Sequence, residues 1–208
     1  MSKLALHGVT KSLKGVADPL LKDINLIMVG KEFLVIDGAA GCGKTTLLRM
    51  IAGLEDVTSG EIYIDGQAMK KRASKKNVAM VFTRPALYVP MTARQNILYG
   101  MRQEKLSVSE KEKRLYWVSE GLEITRLLEQ KPKQMTIEEQ QRIALAKALA
   151  KKPQVLLLDD PFREFGEFGR IQMIKALKSF YQQMDSVFVY ATRRENTAKE
   201  IATQTYHL

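Results

Sequence analysis

A single cysteine, Cys42, excludes an intrachain disulfide framework, and it lies in a glycine-rich loop away from other metal-ligand types. It reads as loop filler. No apolar run approaches the roughly 20 residues needed to cross a bilayer, and the polar, lysine-containing start is not a signal peptide. The chain is therefore expected to be soluble and cytoplasmic. Repeats and compositional signs of disorder are missing too, while a 45% hydrophobic share over 208 residues is enough for one sizeable globular domain. The net charge of +10 attracts anionic partners in general. Its densest patch, Lys70, Lys71, Arg72, Lys75 and Lys76, lacks the aromatic interleaving of a stacking platform, so solvation is the simpler reading and nucleic acid is not an expected partner.

Hydrophobic period divides the chain into three stretches. Strands are expected at 3–10, 24–29 and 33–37, a helix at 44–53 with Gly53 as its stop, then strands at 59–66 and 77–82. The FLVI run at 33–36 suits a strand buried on both faces. Between 92 and 150 the pattern turns helical (92–101, 109–121, 124–128, 137–150), and an S-x-x-E capping box is expected to open the second of these at Ser109. Strand and helix then alternate: VLLLD at 155–159, a helix at 167–183, SVFVYA at 186–191 and a helix at 195–202. The fold class expected is α/β: a P-loop core with a mainly parallel sheet, an antiparallel β edge and an inserted helical subdomain.

GAAGCGKT, Gly38 to Thr45, fits the phosphate-binding pattern GxxxxGK[ST] in full, between a strand and a helix. Glycines there let backbone N–H groups turn toward phosphate oxygens at the positive end of a helix dipole. The ATP-binding residues are read as Gly38, Ala39, Ala40, Gly41, Cys42, Gly43, Lys44, Thr45 and Thr46. Lys44 is expected to reach the outer phosphates, and Thr45 with Asp159 to ligate Mg²⁺. ATP and Mg²⁺ are the expected cofactors.

The order of P-loop, helical insertion and VLLLDDP strand end resembles the ATP-binding subunit of an ABC transporter, nearest the maltose-type sugar importers. GCGKTTLLRMIAGLEDVTSGEIYIDG (41–66) and PALYVPMTARQNILYG (85–100) carry much of the likeness, which covers the whole chain. The resemblance implies one domain over 1–208, with a core of 1–83 and 152–208 and a helical subdomain of 84–151. It also implies a second ATPase subunit closing head to tail, transmembrane subunits contacted through 84–99, and a place at the inner face of the cell membrane.

Other motifs of that family are altered. The aromatic residue that stacks on adenine falls near Leu13, the glutamine sensing metal and water on Thr83, the catalytic glutamate on Asp160, and the switch histidine on Arg193. The resemblance thus makes Asp160, Arg193 and Thr83 the catalytic candidates, with Asp160 one methylene short and Arg193 unable to trade a proton. The LSGGQ signature aligns with Met135, Thr136, Ile137, Glu138 and Glu139, where both glycines are gone and T-x-x-E forms a capping box. The SNLD-like run falls on 163–166 without a match. The sequence ends at TYHL, so the importers' regulatory domain is not expected. Binding with weak hydrolysis, coupled to solute transport, is the first expectation. An inactive nucleotide-gated partner, or a soluble module acting on protein or nucleic acid, is the alternative.

Overall fold

The computed structural model describes residues 2–69, 78–193 and 201–208. The basic patch at 70–76 and most of the helix expected at 195–202 lie outside them. Among the described residues the strands are β1 Ser2–Lys11, β2 Leu21–Val29, β3 Phe33–Asp37, β4 Ser59–Ile64, β5 Gln67–Ala68, β6 Val78–Val81, β7 Val155–Asp159, β8 Val187–Ala191 and β9 Gln204–His207, and the α-helices are α1 Lys44–Ile51, α2 Ala93–Gly100, α3 Val108–Gly121, α4 Ile137–Leu149 and α5 Glu167–Gln183.

The strands form two sheets. One has the order β6-β7-β8-β3-β9, with β3 parallel to both β8 and β9 and β7 parallel to β8. Its inner strands, FLVID, VLLLD and VFVYA, are buried at every position, as strands covered on both faces must be, which is why they read as continuous apolar runs. The other sheet is antiparallel, ordered β2-β1-β4-β5. There Leu4 lies between Met28 and Ile64, and Leu6 between Leu26 and Ile62. The fold is thus mixed α/β, with a parallel sheet, an antiparallel sheet and helices.

Two compact units divide the chain: 1–80 with 154–159 and 185–208, and 81–153 with 160–184. In the first, Leu4, Leu6 and Met28 of the antiparallel sheet, Leu34, Ile36 and Leu157 of the parallel sheet, and Leu47, Leu48 and Ile51 of α1 share one core. Each such side chain, fully buried, contributes about 1.5–3 kcal/mol relative to exposure. Since α1 buries Leu47, Leu48 and Ile51 against this core, its first turn is held at the end of β3.

The second unit is helical, built from α2, α3, α4 and α5. Thr92 and Gln95 close a capping box at the start of α2, as Thr136 and Glu139 do at α4. The helix expected from Ser109 begins earlier, with Ser107 as N-cap and Glu110 completing the box. Two S-x-x-E strings overlap here; the upstream pair prevails because Glu110 accepts from both the N–H and the hydroxyl of Ser107. Trp117 packs edge-on against Phe180, consistent with a packing role for α3.

Candidate functional site

β3 ends at Asp37 and α1 begins at Lys44, leaving six residues to turn the chain. Gly38 and Gly43 take φ of +143° and +103°, which side-chain-bearing residues rarely adopt, and a Cβ on Gly43 would sit 2.7 Å from Leu21 Cδ2. No side chain caps α1, and Leu47 N–H returns to Gly43 O at 2.8 Å. The N–H groups of Lys44, Thr45 and Thr46 therefore have no acceptor within the helix and present its positive end to the loop. That is an anion cradle, whose lining is Gly38, Ala39, Ala40, Gly41, Cys42 and Gly43.

Lys44 folds back over this cradle. Its ammonium donates to Gly38 O at 2.6 Å and Ala39 O at 2.8 Å and lies 3.4 Å from Cys42 Sγ. The loop carbonyls thus hold the cation where a phosphate oxygen can replace them. Thr45 Oγ1 donates to Asp159 at 2.9 and 3.1 Å, joining the end of β7 to the first turn of α1. A hydroxyl and a carboxylate are hard oxygen donors that suit Mg²⁺ carried with substrate phosphates. Among the described residues no cluster of three or more His, Cys, Asp or Glu is placed to hold a metal by itself. The residues present therefore fit Mg·ATP.

Burial pushes the Asp159 carboxyl above its ordinary value, opposed by the Thr45 hydrogen bond and by Lys44, Arg49 and Arg193. A carboxyl raised on folding contributes stability below its unfolded value and loses it as pH rises through the folded one. Asp159 is thus a local cost to the empty fold at neutral pH, relieved by a cation. Asp159→Asn is expected to raise the melting temperature of the nucleotide-free chain at pH 7 but not at pH 3. It should also weaken the Mg²⁺ dependence of ATP binding by at least about tenfold. Thermal melts at both pH values and ATP titrations with and without Mg²⁺ check this.

Of the catalytic candidates, Arg193 is exposed in the first unit, close enough to lower the Asp159 carboxyl. Thr83 and Asp160 are carried by the second unit. Asp160 adopts a left-handed φ of +43°, turning the chain directly after β7. Leu13, near which the resemblance puts the adenine contact, is 42% exposed, beside a turn closed by Val16 N–H on Leu13 O.

The start of α4 is closed by its own side chains. Thr136 Oγ1 accepts from Glu139 N–H, Glu139 accepts from Thr136 N–H, and Arg126 bridges to Glu139 at 2.7 Å. The Thr136 N–H bond holds the Glu139 carboxyl below its usual range. Glu138 accepts the N–H of Gly166, the cap residue of α5, at 3.2 Å. Two carboxylates thus occupy two neighbouring helix starts.

Residue patterns alone miss Asn96, wholly buried behind 84–92, and the pair Asp37 and His207. The acid before the glycine loop was a signal for the latter; nothing local marked Asn96. Tyr88 and Val89 of the strip at 84–99 are 43% and 45% exposed. No described helix is long and apolar enough to cross a membrane.

A family profile described as ABC transporter matches residues 21–163. The sn-glycerol-3-phosphate import ATP-binding protein UgpC of Cereibacter sphaeroides is 37% identical over 203 residues, 97% of this chain and 58% of that protein. The uncharacterized ABC transporter ATP-binding protein YcjV of Escherichia coli O157:H7 is 34% identical over 98% of this chain and 57% of its own length. The chain thus spans less than two thirds of these curated relatives. Among solved structures, a dimeric ATP-binding cassette in a post-hydrolysis state with ADP and Pi superposes with a TM-score of 0.86 at 28% identity, covering 99% of this chain and 94% of that one. The cbiO1 protein of Clostridium perfringens, at 22% identity and a TM-score of 0.87 over 99% of this chain and 84% of that one, shares the fold.

Proposed function

This chain belongs to the ABC transporter family, and on that premise we propose that it is the Mg·ATP-binding subunit of a membrane transporter with weak hydrolysis of its own. The observation that carries the reading is the cradle of 38–46, with Lys44 across it and Thr45 bonded to Asp159. The proposed domain is the whole of 1–208, with 84–151 as a helical insertion in a core of 1–83 and 152–208. Its partners are a second ATPase subunit and transmembrane subunits, the latter met through 84–99, where Tyr88 and Val89 are exposed. This places it at the inner face of the membrane, and the relatives named for import favour inward transport of a solute.

Bound Mg²⁺ supplies charge neutralisation at the phosphates. Lys44 holds the outer phosphates, the α1 N–H groups donate to them, and Asp159 keeps Thr45 oriented. Weak turnover follows from the remaining residues: Asp160 is a short base in a left-handed turn, Thr83 lacks a carboxamide, and Arg193 cannot exchange a proton. The closed start of α4 favours a second reading, an inactive partner subunit whose closure serves assembly.

Calorimetric titration with Mg·ATP and single-turnover hydrolysis by the purified chain test the proposal. Saturable binding with turnover below about 0.01 s⁻¹, against the usual enzyme range of about 1–10³ s⁻¹, is the expected result. Turnover within that usual range would overturn the weak-hydrolysis reading, and absence of binding would overturn the proposal as a whole.

A further inference from the structure

Directly before the P-loop stands Asp37, a carboxylate that is 1% exposed at the end of β3. An ionised group so buried is costly unless another polar group compensates it. Its partner comes from the far end of the chain. β9 lies parallel to β3 with His207 in register with Asp37, and His207 Nδ1 lies directly against Asp37 Oδ1. Apart from this contact, Oδ1 meets no hydrogen-bond donor among the described residues. The main chain repeats the connection one step on: Leu208 N–H donates to Asp37 O at 3.1 Å, and a Cβ on Gly38 would collide with the Leu208 carbonyl.

The entrance of the phosphate loop is therefore clamped by 207–208, and its first flanking side chain is an acid. Lys44 is hydrogen-bonded to Gly38 O, the next residue along, so the same short stretch carries a buried carboxylate, the loop cation and the place of the incoming phosphates. An uncompensated carboxylate there repels phosphate in proportion to phosphate charge, and weakly screened surroundings magnify the effect. His207 is the group placed to compensate it, its side chain 72% exposed while the acid stays buried.

We propose that His207 is a positioning residue for nucleotide binding: by neutralising Asp37 it lets the P-loop accept the triphosphate, and it couples the end of β9 to occupancy of the loop. The inference rests on the reading that 38–46 bind Mg·ATP.

The test is a set of ATP and ADP dissociation constants for the full chain and for His207→Ala, His207→Lys, Asp37→Asn and the Asp37→Asn, His207→Ala double variant. Wild type reports on the underlying reading, since failure there to bind ATP removes that reading before any variant is compared. If it binds, His207→Ala is expected to weaken ATP by about tenfold and ADP by distinctly less, because the loss scales with phosphate charge. His207→Lys should keep most of the affinity. Adding Asp37→Asn to His207→Ala should restore it, since without the carboxylate no compensation is required. A purely structural loss would reduce the folded fraction and lower both affinities equally, leaving the ATP to ADP ratio unchanged. That unchanged ratio, or a double variant no better than His207→Ala, would overturn the proposal. If His207→Ala does not fold, the double variant and Asp37→Asn decide it: equal ATP affinity in these two supports the coupling, and a further loss in the double variant contradicts it.

Discussion

Lys44→Ala is expected to weaken ATP binding by about 30- to several thousand-fold while leaving the fold standing. The lysine is buried in the loop, and among the described residues its ammonium bonds loop atoms alone, Gly38 O, Ala39 O and Cys42 Sγ. Those carbonyls belong to a surface turn where water can replace the lysine, so the nucleotide-free melting temperature should change by no more than a few degrees. The bound state differs. Truncating one member of a desolvated charge pair costs about 2–5 kcal/mol, which lowers affinity by about 30- to several thousand-fold. Parallel titration of wild type and variant, with melts of both, checks the two halves together. A variant that binds ATP within about threefold of wild type would place the nucleotide away from 38–46.

Asn96→Ala carries the largest expected loss of stability. Asn96 is wholly buried in α2 and holds the preceding segment through its carboxamide: Tyr88 N–H donates to its Oδ1 at 2.8 Å, and the two Nδ2 hydrogens are shared among Tyr88 O, Met91 O and Thr92 O at 3.0–3.2 Å. Alanine keeps the helix but takes the partner from the Tyr88 N–H and the Met91 carbonyl, at about 1–3 kcal/mol for each group that water cannot reach, while Tyr88 O and Thr92 O keep the backbone N–H groups of Met91 and Asn96. A loss of about 3 kcal/mol in urea unfolding is expected, with ATP affinity at most slightly changed. The same segment presents Tyr88 and Val89, and Lys147 donates to Ala86 O while lying over the Tyr88 ring at 4.6 Å. Burial pushes the Lys147 ammonium below its usual value. In the proposed transporter, Asn96→Ala should therefore weaken attachment to transmembrane subunits more than it weakens nucleotide binding, measurable by co-purification.

What the sequence made legible follows physical lines. β3, β7 and β8 are the inner strands of their sheet, and burial on both faces leaves runs that no other element imitates. The α4 start was readable because Thr136 and Glu139 meet locally, three residues apart. The α3 start was misplaced by two residues because two local strings of the same kind compete there. Long-range pairing stayed hidden: nothing near Asp37 names His207, and nothing in the sequence sets the order β6-β7-β8-β3-β9. The closure of the α5 start by Glu138 was likewise invisible, since it joins residues 28 positions apart. At the site the phosphate cradle was legible as a string of residue types, whereas the altered motifs were legible only against a family pattern.

Mg·ATP binding at 38–46 is read out by a calorimetric titration of the purified chain with Mg·ATP. Saturation near one nucleotide per chain, sharply weakened in Lys44→Ala, is the expected result. No heat of binding in the wild-type chain under conditions where it is folded would contradict it.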